Sequence, residues 1–345
     1  MPRTRSELRP EPAAPTARRR PRWRLPLILT VAAALAAIGL RGRLPDPREF
    51  VRALTDADPR WVTLAAALQA ASLAAFAWQQ RDLLRALGVR LKAGHLLAVT
   101  LARTAISISL PAGAAVSAGY AVREYRRAGS SREIAAASMI VSGLASIGGL
   151  TLLYLTGGLF VLAGDPSLLL SARPLTVVTA LIALTALAVV LGRRQANRPM
   201  PARLRRLEGR VVDAIRSLLR SARDAWRAGA GLRVRDWLAA VLHAAVNWLT
   251  DLLCLAVTCR AVGLPVGVTT LAGIYLGVQI VRQVPLTPGG VGVIDTALVA
   301  GLTAAGATAV TAAAAVLVYR LLSCWLLIPA GGLAALHLRR AAAAR

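Results

Sequence analysis

Lysine is almost absent from this chain of 345 residues: Lys92 stands beside 41 arginines, and only 16 residues are acidic. Aromatic residues make up 4% of the chain, and cysteines number three. Each shortage bears on function. With so few rings and no groove of alternating basic and aromatic residues, the net charge of +26 is a poor match to a nucleic-acid footprint. Cys254, Cys259 and Cys324 lie in or beside apolar segments, form no CxxC pair and have no histidine at ligand spacing. That argues against a disulfide framework or a zinc site and for thiols acting as small buried hydrophobes. P-loop, GxSxG and HExxH patterns are all missing. No catalytic residue, metal or cofactor is therefore assigned, and any transport would be facilitative or driven by a gradient. Arginine in place of lysine, with abundant alanine, suggests a high-GC bacterial genome.

What the chain has is apolar sequence. It is 56% hydrophobic, against roughly 45–50% for soluble domains, and the excess is gathered into blocks. The stretches 25–40, 61–80, 94–110, 134–163, 174–192, 237–257, 266–284 and 309–336 are mostly close to the roughly 20 residues that a bilayer requires. The expected fold class is all-α, a polytopic integral membrane protein of about seven to nine membrane segments. The first stretch follows an arginine-rich segment as a signal peptide would, but Arg41, Arg43 and the many spans behind it favour an uncleaved anchor. Residues 1–24, with eight arginines and five prolines, read as a disordered basic tail. Residues 25–340 form one transmembrane domain, and 341–345 a short tail. The loop 193–235 carries thirteen arginines against three acids. Leu204, Leu207, Val211, Ile215, Leu218, Ala222 and Trp226 recur along it every three or four residues, as in an amphipathic helix lying on the inner leaflet. Arginine density places this loop and both termini in the cytoplasm.

Two helix-breaking runs interrupt the apolar blocks. Residues 285–295 read Pro-Leu-Thr-Pro-Gly-Gly-Val-Gly-Val-Ile-Asp, and an earlier run holds Pro111 and Gly113. Pro111, Gly113, Val116 and Gly129 recur as Pro288, Gly290, Val293 and Gly306 at one offset of 177 residues, the mark of an internal duplication. In hydrocarbon, freed backbone groups must find partners, so such breaks persist only inside protein or beside a water-filled cavity. Broken segments are also where transporters bind polar cargo. The arginines from Arg123 to Arg132 favour a re-entrant hairpin for the first break. The second either returns or crosses, and a cytoplasmic C-terminus is taken to need it to cross.

Charges within spans are costly and call for a reason. Asp251 shares a helix face with His243 and Asn247; Arg282 precedes the second break, Asp295 ends it, and Arg320 lies deep in the last long stretch. Arg103 stands eight residues before Pro111. One reading is a polar cavity whose arginines take a phosphate while the acids hold them in place. The other is that the acids and arginines merely pair to hold helices together. The lipid-binding candidates are thus Arg103, Pro111, Gly113, Asp251, Arg282, Pro288, Gly289, Gly290, Gly292, Asp295 and Arg320. His243, Asn247 and Asp251 lack an attached nucleophile and read as a polar stripe rather than a catalytic triad. Asp56-Ala-Asp58 could be a metal-holding pair, although Pro59 behind it suits a helix-capping turn better.

The segment Arg282-Gln-Val-Pro-Leu-Thr-Pro-Gly-Gly-Val-Gly-Val-Ile-Asp resembles the signature of the flippase-like family, which shares the transmembrane domain of lysylphosphatidylglycerol synthases (the multiple peptide resistance factors). Ser107-Ile-Ser-Leu-Pro-Ala-Gly-Ala-Ala-Val-Ser looks like the family's first broken motif, and Val318-Tyr-Arg fits the arginine of its last long span. Members usually end the second motif with Glu; here it is Asp295. The resemblance implies a multi-pass inner-membrane protein that binds or flips anionic phospholipid or a lipid-linked headgroup between leaflets. In the synthases an aminoacyl transferase domain follows, and here the chain stops at Arg345, which argues against aminoacyl transfer. Two alternatives accompany this expectation: a membrane-embedded glycosyl or headgroup transferase, and a scaffold whose 193–235 loop recruits a soluble synthase partner.

Overall fold

The structure, a computed structural model, describes residues 48, 52, 55–110, 113–164, 227, 229, 231–282 and 288–343, without the side chains of 159–164, 280, 281 and 288. The first apolar stretch, the stretch 174–192, nearly all of the 193–235 loop, and Pro111 lie outside the described residues. Nine α-helices make up the described chain, within one compact unit spanning Pro45–Arg345. They are α1 (Pro59–Ala86), α2 (Ala93–Ser109), α3 (Gly113–Arg127), α4 (Arg132–Gly164), α5 (Val234–Ala261), α6 (Val268–Arg282), α7 (Val293–Ala304), α8 (Ala309–Arg320) and α9 (Leu327–Ala343). No strand occurs among the described residues.

Among the described residues four apolar segments are long enough to cross a membrane: Pro59–Ala86, Arg132–Gly158, Val234–Ala261 and Ala309–Ala343. The chain is a polytopic all-α membrane protein. α1 and α5, at 28 residues each, are about 42 Å long, more than the roughly 30 Å of a hydrocarbon core. On α5, Leu238, Leu242, Val246, Leu249 and Leu253 form an exposed stripe at helical spacing, as suits a surface facing lipid. Asp58 is a cap: its carboxylate accepts from the Arg60 N–H at 2.8 Å, with Pro59 in the first turn.

The duplication is built into the backbone. α1 and α5 start and end 175 residues apart, and α2 and α6 also start 175 apart. Past the breaks the offset becomes 177, so α4 pairs with the α8–α9 segment. Matching turns close α3 and α7. Gly129 N–H bonds Arg126 O, and Gly306 N–H bonds Thr303 O, both at 3.0 Å; the two glycines have φ of +99° and +98°. Ser131 and Thr308 then cap the next helices through Ile134 N–H and Thr311 N–H, both at 3.2 Å.

The halves are related as an inverted pair. α1 and α5 run antiparallel, Asp58 N–H reaching Ala261 O at one end. They cross at their midpoints, where Ser72 Oγ donates to Asn247 O and Asn247 Nδ2 donates to Ser72 O. Such reciprocal contacts between equivalent residues mark a pseudo-two-fold axis. With both helices spanning, that axis lies in the membrane plane.

α2 and α3 fold back as an antiparallel hairpin closed by a Gly113 N–H to Leu110 O bond. α6 and α7 do the same, Gly301 packing on Ile274. The second element therefore turns back rather than crossing. The C-terminal helix still ends at the arginine-rich end, Leu338 clustering with Leu84, Leu96 and Tyr125. A crossing by the second break is therefore not needed to bring the C-terminal helix to that end; α8 and α9 make it.

Candidate functional site

The two breaks meet. After α6, Pro288–Gly290 forms a single 3₁₀ turn in which Gly289 and Gly290 have φ of +60° and +67°, followed by Gly292 at +85°. Residues with a side chain reach this left-handed region only at a cost, which explains the Pro-Gly-Gly-Val-Gly run. At Gly289 a Cβ would also sit 2.9 Å from the oxygen of Ile108, at the end of α2. The turn of one hairpin thus lies against the turn of the other.

Arg320 and Asp295 satisfy backbone groups that the break frees. Arg320 Nη2 donates to Gly289 O at 3.0 Å, and Asp295 Oδ2 accepts from Gly292 N–H at 2.9 Å. Arg320 Nε lies 2.7 Å from Asp295 Oδ1, an ion pair that lacks the alignment of a regular hydrogen bond. The Arg320 side chain is 4% exposed and that of Asp295 31%. Directly after Arg320 the helix loosens into a π-type turn, Leu321–Trp325, a distortion frequent at functional sites.

A second network adjoins the first through the neighbouring residue Tyr319. Its hydroxyl and that of Tyr275 both donate to Asp251 Oδ2, at 3.0 and 2.7 Å. Arg282 Nη1 stands 3.9 Å from the same carboxylate and 3.5 Å from Gln279 Oε1, with its side chain 36% exposed. Asp251 is thus anchored by two phenols, while Arg282 makes only long contacts among the described residues. A guanidinium carries five donors, and among the described residues Arg320 turns its own to the break and to Asp295 while Arg282 makes no contact shorter than 3.5 Å.

Asp251, Arg282, Gly289, Gly290, Gly292, Asp295 and Arg320 therefore gather at one locus, and the backbone of Pro288 begins its turn. Gly113 closes the first hairpin, and its Cβ position is occupied by Ser107 backbone, so it serves that turn and not the charged cluster. His243 and Asn247 share a helix with Asp251 but face α1, toward Asp82 at 3.9 Å and Ser72 at 2.8 Å. Arg103 lies in the first half, with its guanidinium 4.7 Å over the Phe76 ring and Nη1 3.8 Å from Met139 Sδ. A cation–π contact is worth about 0.5–2 kcal/mol, less than the roughly 2.5–3.5 kcal/mol cost of inserting an arginine mid-bilayer.

Sequence reasoning missed Tyr275 and Tyr319, whose hydroxyls hold Asp251. Tyrosine inside an apolar helix, with only five in the chain, was the available signal. It also missed Gln79, Gln80 and Ser142, a fully buried set in which both amides donate to Ser142. Among the described residues no cluster of three His, Cys, Asp or Glu is placed to hold a metal ion.

Residues 27–331 match the family described as the lysylphosphatidylglycerol synthase TM region. Among similar proteins, a UPF0104 membrane protein of Methanothermobacter thermautotrophicus is 27% identical over 322 residues, 90% of this chain and 94% of that one. Glycosyltransferase AglD of Haloferax volcanii is 26% identical over 313 residues, 82% of this chain, which spans about half (49%) of that protein's length. With the family match covering nearly the whole chain, broken hairpins included, this protein belongs to the lysylphosphatidylglycerol synthase transmembrane-region family.

Proposed function

We propose that the protein binds an anionic phospholipid or lipid-linked headgroup inside the bilayer and moves it between leaflets, Arg282 contacting the phosphate. The observation that carries this reading is Arg282 itself: a cation whose contacts among the described residues are all long, beside two hairpin breaks that meet within an apolar bundle. Inverted repeats with irregular backbone at their junction are the usual architecture of alternating access. Arg320 and Asp295 then act as positioning residues that hold the break open for cargo.

Orientation follows from charge. Arg85, Arg126, Arg127, Arg132, Arg233 and Arg340 gather at one end of the bundle, whereas the other end has a few charges of both signs, including Asp56, Asp58 and Arg260. The positive-inside rule makes the arginine-rich end cytoplasmic, with both termini there, in a bacterial inner membrane.

Retention of lipid tests the reading. Purified protein analysed by native mass spectrometry is expected to keep phosphatidylglycerol, less so with Arg282→Lys and least with Arg282→Gln, since lysine keeps the charge without the planar fork. Equal retention by all three would make Arg282 a structural residue.

Similarity to the glycosyltransferase AglD favours a second reading, a membrane-embedded glycosyl or headgroup transferase. It needs a metal-holding acidic pair, for which Asp56 and Asp58 are the sequence candidates, and Asp58 is engaged as a helix cap. Metal-dependent transfer lost in an Asp56→Asn, Asp58→Asn variant would establish it.

A further inference from the structure

The first half of the molecule contains a cavity of about 360 Å³ lined by Phe76, Arg103, Ala118, Met139, Ser142 and Gly143, with Ile140 and Ser146 completing it. Its position in the repeat gives it meaning. At the offsets that relate the two halves, Phe76 corresponds to Asp251, Ala118 to Asp295, Ser142 to Tyr319 and Gly143 to Arg320. The cavity is therefore the pseudo-symmetric counterpart of the charged cluster at the second break. In the second half, polar side chains hold those positions, Arg320 pairing with Asp295 and the Tyr319 hydroxyl donating to Asp251. In the first half, small residues vacate it and no carboxylate remains on its wall.

Charge does not vanish with them. Arg103 occupies the position of Val278, so the first half has gained a cation where the second has an apolar residue. Phe76, standing where Asp251 would be, meets that cation with a ring face. Among the described residues Arg103 has no ion-pair partner, while Arg320 has Asp295.

We propose that this cavity is a separate headgroup site, in which a phosphate monoanion takes against Arg103 the place that Asp295 takes against Arg320. Its volume is at the low end of small-molecule pockets, suited to a headgroup and not to a whole lipid. α2 runs from the arginine-rich end to the central break, so Arg103 lies in the half of the bundle nearest that end. The site therefore receives its ligand from the leaflet there. The Arg282 locus, across the axis, belongs to the other half. The proposal shares the ligand class of the lipid-binding reading but stands on different residues.

The discriminating variant restores the missing symmetry. Ala118→Asp supplies an internal carboxylate for Arg103, and Ala118→Asn adds nearly the same bulk without charge. The full-length protein is purified from lipid mixtures of phosphatidylglycerol and phosphatidylcholine, and retained lipid is measured by native mass spectrometry, with thermal unfolding as the check on folding. Ala118→Asp and Arg103→Gln are each expected to lose preference for phosphatidylglycerol by roughly tenfold, the scale of one charge-assisted contact. Ala118→Asn is expected to keep it. If Ala118→Asp and Arg103→Gln keep the preference while Arg282→Gln loses it, the proposal falls and the Arg282 reading stands. If they lose it while Arg282→Gln keeps it, the proposal stands and the Arg282 reading falls. Equal retention of the two lipids by unmodified protein would make the cavity an acyl-chain groove and overturn the site. Inorganic phosphate forms the last arm. If it alone raises the unfolding temperature as phosphatidylglycerol does, and Ala118→Asp abolishes this, the anion site holds but its lipid source is refuted.

Discussion

Removing the carboxylate of Asp295 while keeping its shape is the sharpest perturbation of the second break. In Asp295→Asn the amide oxygen can still accept from Gly292 N–H, so the helix start survives. What is lost is the anion 2.7 Å from Arg320, whose side chain is only 4% exposed. Stranding a buried charge costs about 3–5 kcal/mol, and partial exposure on the Asp295 side brings the expectation to about 3 kcal/mol. Arg320→Gln acts differently. The carboxylate left behind is 31% exposed and can hydrate, while Gly289 O loses its donor, for about 2 kcal/mol in all. In the double variant no charge is stranded, so its cost should be near 3 kcal/mol and not the sum, a coupling of about 2 kcal/mol. Reversible unfolding in mixed micelles, followed by tryptophan fluorescence, measures all four corners of the cycle. Additive costs, within about 0.5 kcal/mol, would show that the two side chains do not act as a pair.

Other outcomes are fixed by the same geometry. Gly289→Ala should destabilise by at least about 1–2 kcal/mol, because φ is +60° and Ile108 already fills the Cβ position; wild-type unfolding would mean that the two turns are not in contact. Gly289→Leu with Gly290→Leu should abolish lipid movement while leaving the protein inserted, measured by reconstitution and protease mapping of the membrane fraction. Cysteines introduced at Arg205 and Arg220 should resist an impermeant thiol reagent in intact cells and react once cells are opened. Cys254, Cys259 and Cys324 are buried and add little background. Labelling in intact cells would invert the topology.

The parts of this architecture readable in the sequence are those set by local chemistry. Proline and glycine marked both breaks, proline because it lacks an N–H and ends a helix, and glycine because Gly289, Gly290 and Gly292 need a left-handed backbone while Gly113 leaves no room for a Cβ. Their recurrence at 177 residues exposed the duplication. The second offset, 175, governs α1, α2, α5 and α6, whose equivalent positions carry unlike residues such as Phe76 and Asp251, so pattern matching passed over it. Charges within spans identified Asp251, Arg282, Asp295 and Arg320 as a group, but which acid meets which arginine depends on how α5, α7 and α8 pack. The polar stripe of α5 shows the same limit. Spacing put His243, Asn247 and Asp251 on one face, yet the first two turn to α1 and the third to α6 and α8. The Arg103 cavity was beyond sequence reading, because it arises where four helices meet and from small residues on α3 and α4 that mean nothing until the two halves are superposed.

The central claim is that lipid crosses at the junction of the two hairpins with Arg282 as its phosphate contact. The direct measurement is translocation of fluorescent phosphatidylglycerol across reconstituted vesicles by the unmodified protein, Arg282→Lys and Arg282→Gln. The account predicts movement above protein-free vesicles for the first, a reduced rate for the second and the protein-free rate for the third. Movement by Arg282→Gln at the unmodified rate, in protein that is folded and inserted, would contradict it.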